Sequence, residues 1–197
     1  MIDIARETDL REIAKVHTKC FPGYFLTKYG EKLLAQYYGE YLAEGVPFVI
    51  ARDNGKIVGF CMGYIGQTKA KTKFLKKNFF GMVGKTLKLM LTFDKEVYSR
   101  IKTNILPSIG NGNSEEDEED EAYLLSICVL EEKRGTGLSR ELVEAFEEQL
   151  IKKGCKGYAL FAIEDNDRGI GFYEKMGFEE VRSKDGSIKF RKTLQSN

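Results

Sequence analysis

The feature that most limits how this 197-residue chain can fold is a nine-residue apolar run, Ala122 to Leu130 (AYLLSICVL), that empties into a glycine-containing loop. A run this continuous suits a strand buried on both faces of a sheet. The loop, Glu131-Glu132-Lys133-Arg134-Gly135-Thr136-Gly137, opens an amphipathic helix. That helix carries Leu138, Leu142, Val143, Phe146 and Leu150 on one side and Glu141, Glu144, Glu147 and Glu148 largely on the other. Gly154 ends it, and Tyr158 to Ile163 reads as a second buried strand. Residues 122–163 therefore form a β-loop-α-β unit whose two strands should be parallel, since a crossover of this kind joins parallel neighbours.

The flanks add strands and helices of the same sheet. IDIA at the start alternates like an edge strand. Asp9 and Glu12 stand in capping-box spacing before a helix whose Leu10, Ile13, Ala14 and His17 share a face. Phe21-Pro22-Gly23 stops that helix, and a second reads from Thr27 to Ala43 with Leu33, Leu34, Tyr37, Tyr38, Tyr41 and Leu42 as its apolar stripe. Pro47 to Ala51, the turn Asp53-Asn54-Gly55-Lys56 and Ile57 to Ile65 form a hairpin, because Asn-Gly suits a tight primed turn. Arg168 to Met176 is a short helix closed by Gly177, and Phe178 to Arg182 with Ile188 to Thr193 makes a last hairpin. The class is mixed α/β around one sheet, partly antiparallel.

Composition narrows the functional classes. Thirty-one basic and thirty acidic residues leave a net charge of +1, so no global field recruits nucleic acid or an anionic membrane. One histidine and four scattered cysteines, Cys20, Cys61, Cys128 and Cys155, do not make a typical zinc cluster. No metal is expected. The N-terminus does not read as a signal peptide and no apolar run reaches membrane-spanning length, so a cytoplasmic protein with reduced thiols is the expectation.

Residues 66–121 differ in texture. Ten Lys or Arg lie between Lys69 and Lys102, opposed only by Asp94 and Glu96, and aromatic and aliphatic residues are interleaved among them. A breaker-rich loop and seven consecutive acids, Glu115 to Glu121, follow. Such a dense acidic run is expected to be solvated and mobile. The basic stretch reads first as a substrate lid or pocket wall. An ordinary helical insertion, or a contact with membrane or nucleic acid, are the other readings.

A buried strand that turns through glycines into a helix is an anion site by construction, because the first helical N–H groups have no intrahelical partner and the helix dipole adds positive charge. Gly135 and Gly137 allow close approach of a phosphate and Arg134 supplies charge. The spacing is neither a Walker loop nor the G-x-G-x-x-G dinucleotide fingerprint.

Arg134-Gly135-Thr136-Gly137-Leu138-Ser139 resembles the acetyl-CoA loop of the GNAT acetyltransferase superfamily, R/Q-x-x-G-x-G/A. Asn166 to Phe178 (NDRGIGFYEKMGF) resembles that superfamily's second signature, N-x-x-A-x-x-F-Y-E-K-x-G-F. Ser139 and Gly169 depart from the pattern, each with a small residue. The layout fits from Ile2 to Leu194, with 66–121 outside the common core. The resemblance implies one acetyltransferase domain over 1–197, with a mixed, mostly antiparallel sheet flanked by helices and a helical insertion before the loop strand. It also implies acetyl-CoA as co-substrate. Ile127, Cys128 and Val129 would pair with the pantetheine arm, and the N–H groups of Arg134, Gly135, Thr136, Gly137, Leu138 and Ser139 would hold the diphosphate. Asn166 would contact the arm, and Tyr173 would sit beside the thioester sulfur as the catalytic acid.

Only a neutral amine attacks a thioester, and an alkylamine is roughly one part in a thousand neutral near pH 7. A base or a desolvating pocket must therefore assist. His17 is the sole imidazole, but its apolar helix face favours an inward, hydrogen-bonded role. Glu121, or a water on Ser126, are the remaining candidates, and the base stays unassigned. Cys128 reads as a small core residue rather than a nucleophile.

The resulting expectation is acetyl transfer to a primary amine of a small molecule in a ternary complex. The His17…Cys20 to Thr27 start loosely resembles GNAT proteins of surface-polysaccharide or nucleotide-amino-sugar metabolism. A protein N-terminal or lysine acetyltransferase and a non-catalytic acyl-CoA-binding module are the alternatives. The expected partner is a small-molecule amine, with a homodimer left open and no nucleic acid or integral membrane association.

Overall fold

A computed structural model describes residues 1–91, 121–184 and 186–195. In chain order the elements are β1 (Ile2–Ile4), α1 (Leu10–Cys20), α2 (Phe25–Lys28), α3 (Glu31–Leu42), β2 (Phe48–Asp53), β3 (Lys56–Ile65) and α4 (Ala70–Leu91). Then follow β4 (Ala122–Val129), α5 (Leu138–Lys152), β5 (Gly157–Ile163), α6 (Asp167–Lys175), β6 (Glu179–Lys184) and β7 (Ser187–Thr193). The seven strands form one sheet in the order β1-β2-β3-β4-β5-β7-β6. Every neighbouring pair is antiparallel except β4 and β5.

Adjacent strand residues point to opposite faces, and this sorts the helices. Phe60 meets Tyr38 of α3, ring centroids 5.3 Å apart, whereas a Cβ on Gly59 would lie 3.1 Å from Leu142 of α5. Helices α3 and α5 thus cover opposite faces. Ile13, Ala14, Leu34 and Tyr38 bury themselves on one side of β2 and β3, and Leu142, Val143, Phe146 and Leu150 on the other, all nearly inaccessible. Burial of such side chains contributes about 1.5–3 kcal/mol each before entropy is counted.

Three local expectations are corrected. The helix expected from Thr27 to Ala43 is two, because Gly30 adopts φ 84°, a left-handed conformation that breaks the helical path between α2 and α3. Asp9 and Glu12 do not form a capping box for α1. Asp9 accepts the Arg6 N–H (3.0 Å) and the Arg52 guanidinium (2.7 Å), and Glu12 accepts the Ile57 N–H (3.0 Å), so both acids tie the helix start to β2 and β3. The two central strands are not buried throughout: Leu125, Phe161 and Ile163 are about two-fifths exposed. The reason is that β4 and β5 pair only at Ala122–Tyr158 and Tyr123–Ala159 and then part, opening a cleft between them.

In the insertion, α4 packs on α3, with Phe74 buried edge-on to Tyr37 and with Lys73 and Lys77 paired to Glu44 and Glu40 at 2.7 and 2.6 Å. The remaining basic stretch to Lys102 and the acidic residues 115–120 lie outside the described residues. Glu121, the last acid of the run, is held rather than solvated. It accepts from Lys189 (2.7 Å), Arg191 (2.6 Å) and the Tyr123 hydroxyl (2.5 Å). Among the described residues no helix is long and apolar enough to cross a membrane.

Candidate active site

The parting of β4 from β5 has a local cause. Across β3 and β4, Met62 pairs with Ser126 and Gly63 with Leu124, so Leu125 is an extra residue that bulges β4. A bulge bends its strand and re-aims its side chains. From Leu124 to Val129 the ladder to β5 lapses, leaving that edge of β4 open along the cleft. A cavity of about 290 Å³ occupies it, walled by His17 and Tyr38 from the helices, Ser126 and Ile127 from β4, and Asn166 and Tyr173 beyond β5. Cys128 and Val129, the other two strand residues expected at the arm, are buried on the same open stretch. A larger depression of about 590 Å³ lies around Glu121, Lys156 and Arg191, and it contains neither the glycine loop nor Tyr173.

At the end of β4 the glycine loop does what its composition dictates. Gly135 (φ 78°) and Gly137 (φ 89°) are both left-handed, a conformation costing a side-chain-bearing residue about 1–2 kcal/mol. Nothing lies within 4 Å of a Cβ built on either, so their faces are open. Gly137 caps α5 and its carbonyl accepts from Arg140 and Glu141. The Arg134 N–H is already committed to the Glu131 carbonyl (3.1 Å), which removes it from the expected set of anion donors. The N–H groups of Gly135 through Ser139 have no backbone partner among the described residues. Five orphan donors at the positive end of a helix of 15 residues make an anion notch.

Tyr173 comes from α6. Its ring packs edge-on against Phe172 and Phe178, both at 5.6 Å between centroids, which fixes its direction. Burial pushes its phenol above the ordinary tyrosine range, so it stays protonated and able to donate. Asn166 begins α6 as its cap, its side-chain oxygen accepting the Gly169 N–H at 3.0 Å and its amide NH₂ remaining available. Gly169 makes room for that cap, since a Cβ there would sit 2.3 Å from Asn166 Nδ2.

His17 is the buried, hydrogen-bonded residue its helix face implied. It is 7% exposed, and Nδ1 lies 2.7 Å from the Tyr38 hydroxyl. Burial lowers its pKa to about 4, so the ring is neutral at physiological pH. Tyr38 in turn reaches Ser126 Oγ at 3.5 Å. Tyr38 was not singled out from the sequence, where it is one of three tyrosines in the apolar stripe of its helix; the signal was a hydroxyl that must find a partner when buried. Cys128 is no primed nucleophile: burial pushes its thiol well up, and it hydrogen-bonds Cys20 at the end of α1. Glu121 sits in its ion pairs at the far end of β4. Burial raises its carboxyl, but the bonds from Lys189, Tyr123 and Arg191 outweigh that and hold it below the ordinary range. It is therefore unsuited to the role of base.

Residues 100–178 match the acetyltransferase (GNAT) family. An acetyltransferase of Pectobacterium atrosepticum is 44% identical over 48 residues, 24% of this chain and 34% of the relative. The mouse thialysine N-epsilon-acetyltransferase is 26% identical over 69 residues, 35% of this chain and 41% of the relative. The matched stretches thus span well under half the length of these curated relatives. Among solved structures, the PaiA N-acetyltransferase of Thermoplasma acidophilum in complex with coenzyme A superposes with a TM-score of 0.62. It is 15% identical, with 98% of each chain covered, and it shares the fold. A parted parallel pair, a glycine notch opening a helix and a tyrosine-bearing helix after β5 all lie within residues 100–178, the stretch over which this chain is similar to the acetyltransferase (GNAT) family.

Proposed function

We propose that the protein transfers an acetyl group from acetyl-CoA to a primary amine of a small molecule, by direct attack within a ternary complex. The observation that carries this reading is the succession, along β4 and the loop that follows it, of an open strand edge and five orphan N–H groups, with a protonated phenol on the cleft wall. The open edge of β4 around Ile127 to Val129 suits the amides of a pantetheine arm. The notch from Gly135 to Ser139, with the Arg134 side chain beside it, suits a diphosphate. Asn166 lines the same cavity as Tyr173, and its free amide suits the arm.

Acetyl-CoA supplies the activated acetyl group and the leaving thiol. The chain's own residues hold the two reactants in register, an effect that is worth about 7 kcal/mol or more in well-oriented systems. Strand N–H groups facing the cleft stabilise negative charge on the carbonyl oxygen. The Tyr173 hydroxyl donates to the departing sulfur. The amine loses one proton as the amide forms, and the thiol gains one. The mouse relative's name gives an ε-nitrogen of thialysine as the acceptor, which supports a small-molecule amine here.

The test is a screen of a primary-amine library with acetyl-CoA, reading free thiol. Release of thiol with at least one amine, dependent on that amine's concentration, is the expected result. Binding of coenzyme A without thiol release for any amine would leave only an acyl-CoA-binding module.

A further inference from the structure

His17 Nε2 is the one buried side-chain nitrogen or oxygen without a hydrogen-bond partner among the described residues. Buried polar atoms in native structures are nearly always satisfied, so an orphan calls for an explanation. Nδ1 is committed to Tyr38, which fixes the ring, and the ring walls the same cavity as Tyr173 and Ile127. The ring that carries the unspent atom therefore walls the pocket that Tyr173 and Ile127 share.

The rest of the wall is uncharged. No Asp, Glu, Lys or Arg lines this cavity among the described residues. Phe21, Tyr24, Leu125, Phe161 and Ile163 supply its apolar surface, and the last two are about two-fifths exposed, Phe161 stacking on Tyr123 at 6.1 Å between centroids. A pocket without carboxylates does not stabilise an ammonium, and one without cations does not hold phosphates. An alkylamine is about one part in a thousand neutral near pH 7, whereas an amine of α-amino basicity is about one part in six. A site that offers no counter-charge selects the second kind.

We infer that the acceptor is a small, weakly basic amine with an apolar or aromatic body, whose N–H is received by His17 Nε2 while its body lies against Phe21, Tyr24 and Phe161. The inference rests on the acetyl-transfer reading above and narrows its substrate. His17 is the residue that touches the acceptor, and Tyr38 is a positioning residue that acts through it. Polyamines and nucleotide-linked amino sugars fall outside the selected class, because their charges would find no partner in this wall.

The experiment measures kcat/KM for tryptamine, 4-methoxyaniline, spermidine, a nucleoside-diphosphate amino sugar and a Met-Leu-Gly peptide, in wild type, H17F, H17Q and Y38F. The expected result is a preference of at least about 30-fold for 4-methoxyaniline over spermidine and the nucleotide sugar. In H17F the KM for the amine rises at least tenfold while the KM for acetyl-CoA is unchanged, H17Q recovers part of the loss, and Y38F shows an intermediate rise. Preference for spermidine or the nucleotide sugar overturns the inference, as does an unchanged amine KM in both H17F and Y38F. The peptide outperforming every small amine overturns the small-molecule assignment. Should no amine release thiol, the panel is titrated calorimetrically into the coenzyme A complex. Binding of 4-methoxyaniline that H17F abolishes keeps the subsite and ends the transferase reading, and no binding ends both.

Discussion

The Nδ1 of His17 lies 2.7 Å from the hydroxyl of Tyr38, and this bond joins α1 to α3 beside the cleft. It holds a neutral imidazole where burial penalises the charged form, lowering the pKa from 6.5 to about 4. The unfolded chain binds this proton at higher pH than the folded one, so stability is full above pH 6.5 and is lost as the pH falls towards 4. The loss is roughly 3 kcal/mol by the usual conversion. Urea midpoints between pH 4 and 7 should fall more steeply on the acid side for wild type than for H17F. Parallel profiles would show that His17 charges freely in the fold.

Tyr173→Phe should lower kcat by about 100- to 10,000-fold, the range of a lost proton donor, with coenzyme A affinity by calorimetry nearly unchanged. Because burial raises this phenol's pKa, the alkaline limb of the wild-type rate profile should not come from Tyr173 below pH 10. Unchanged turnover in the variant would remove the residue from the chemistry.

Gly137→Ala puts a methyl group on a residue at φ 89°, in a place where a Cβ meets nothing within 4 Å. The fold should lose about 1–2 kcal/mol from backbone strain alone. On the proposed binding mode, coenzyme A affinity should drop by tenfold or more, because the methyl group would project into the notch proposed for the diphosphate. A calorimetric titration of coenzyme A, next to a thermal melt, separates the two effects.

Glu121 and Lys189 are 8% and 5% exposed at their side chains, and Lys189 also lies 5.4 Å from the centre of the Tyr123 ring. Removing one member of a buried pair strands the other, typically at 3–5 kcal/mol. Glu121→Ala should therefore lower the melting temperature by about 10 °C in a chain of this size. The companion variant Lys189→Met should recover part of that loss in the double mutant. A melting point within two degrees of wild type would show that the lysine finds another partner.

What the sequence made legible was local. Arg134 to Ser139 and Asn166 to Phe178 carry their geometry in their own backbones, through glycines with positive φ and a side-chain cap, so short motifs identify them. The Asn54-Gly55 turn falls in the same class. The bulge at Leu125 was not legible, because it exists only in the register between β3 and β4. Nor was the partnership of Tyr38 with His17, which lies 21 residues away in sequence and meets it only once α1 packs on α3. Glu121 reads as the last charge of a solvated run until Lys189 and Arg191, nearly seventy residues later, arrive to claim it. Contacts of that kind are decided by tertiary packing, to which no local pattern gives access.

The gap between β4 and β5 gives this sheet a third rim, in its interior rather than at its flanks. Ordinary rims invite other polypeptides to add on, which is the first step towards fibrils. Here the rim runs along a cavity walled by Phe161 and Tyr173, which on the acetyl-transfer reading receives a slender, amide-bearing arm instead of a protein strand. On that reading the sheet keeps an unfinished seam, which the co-substrate would close.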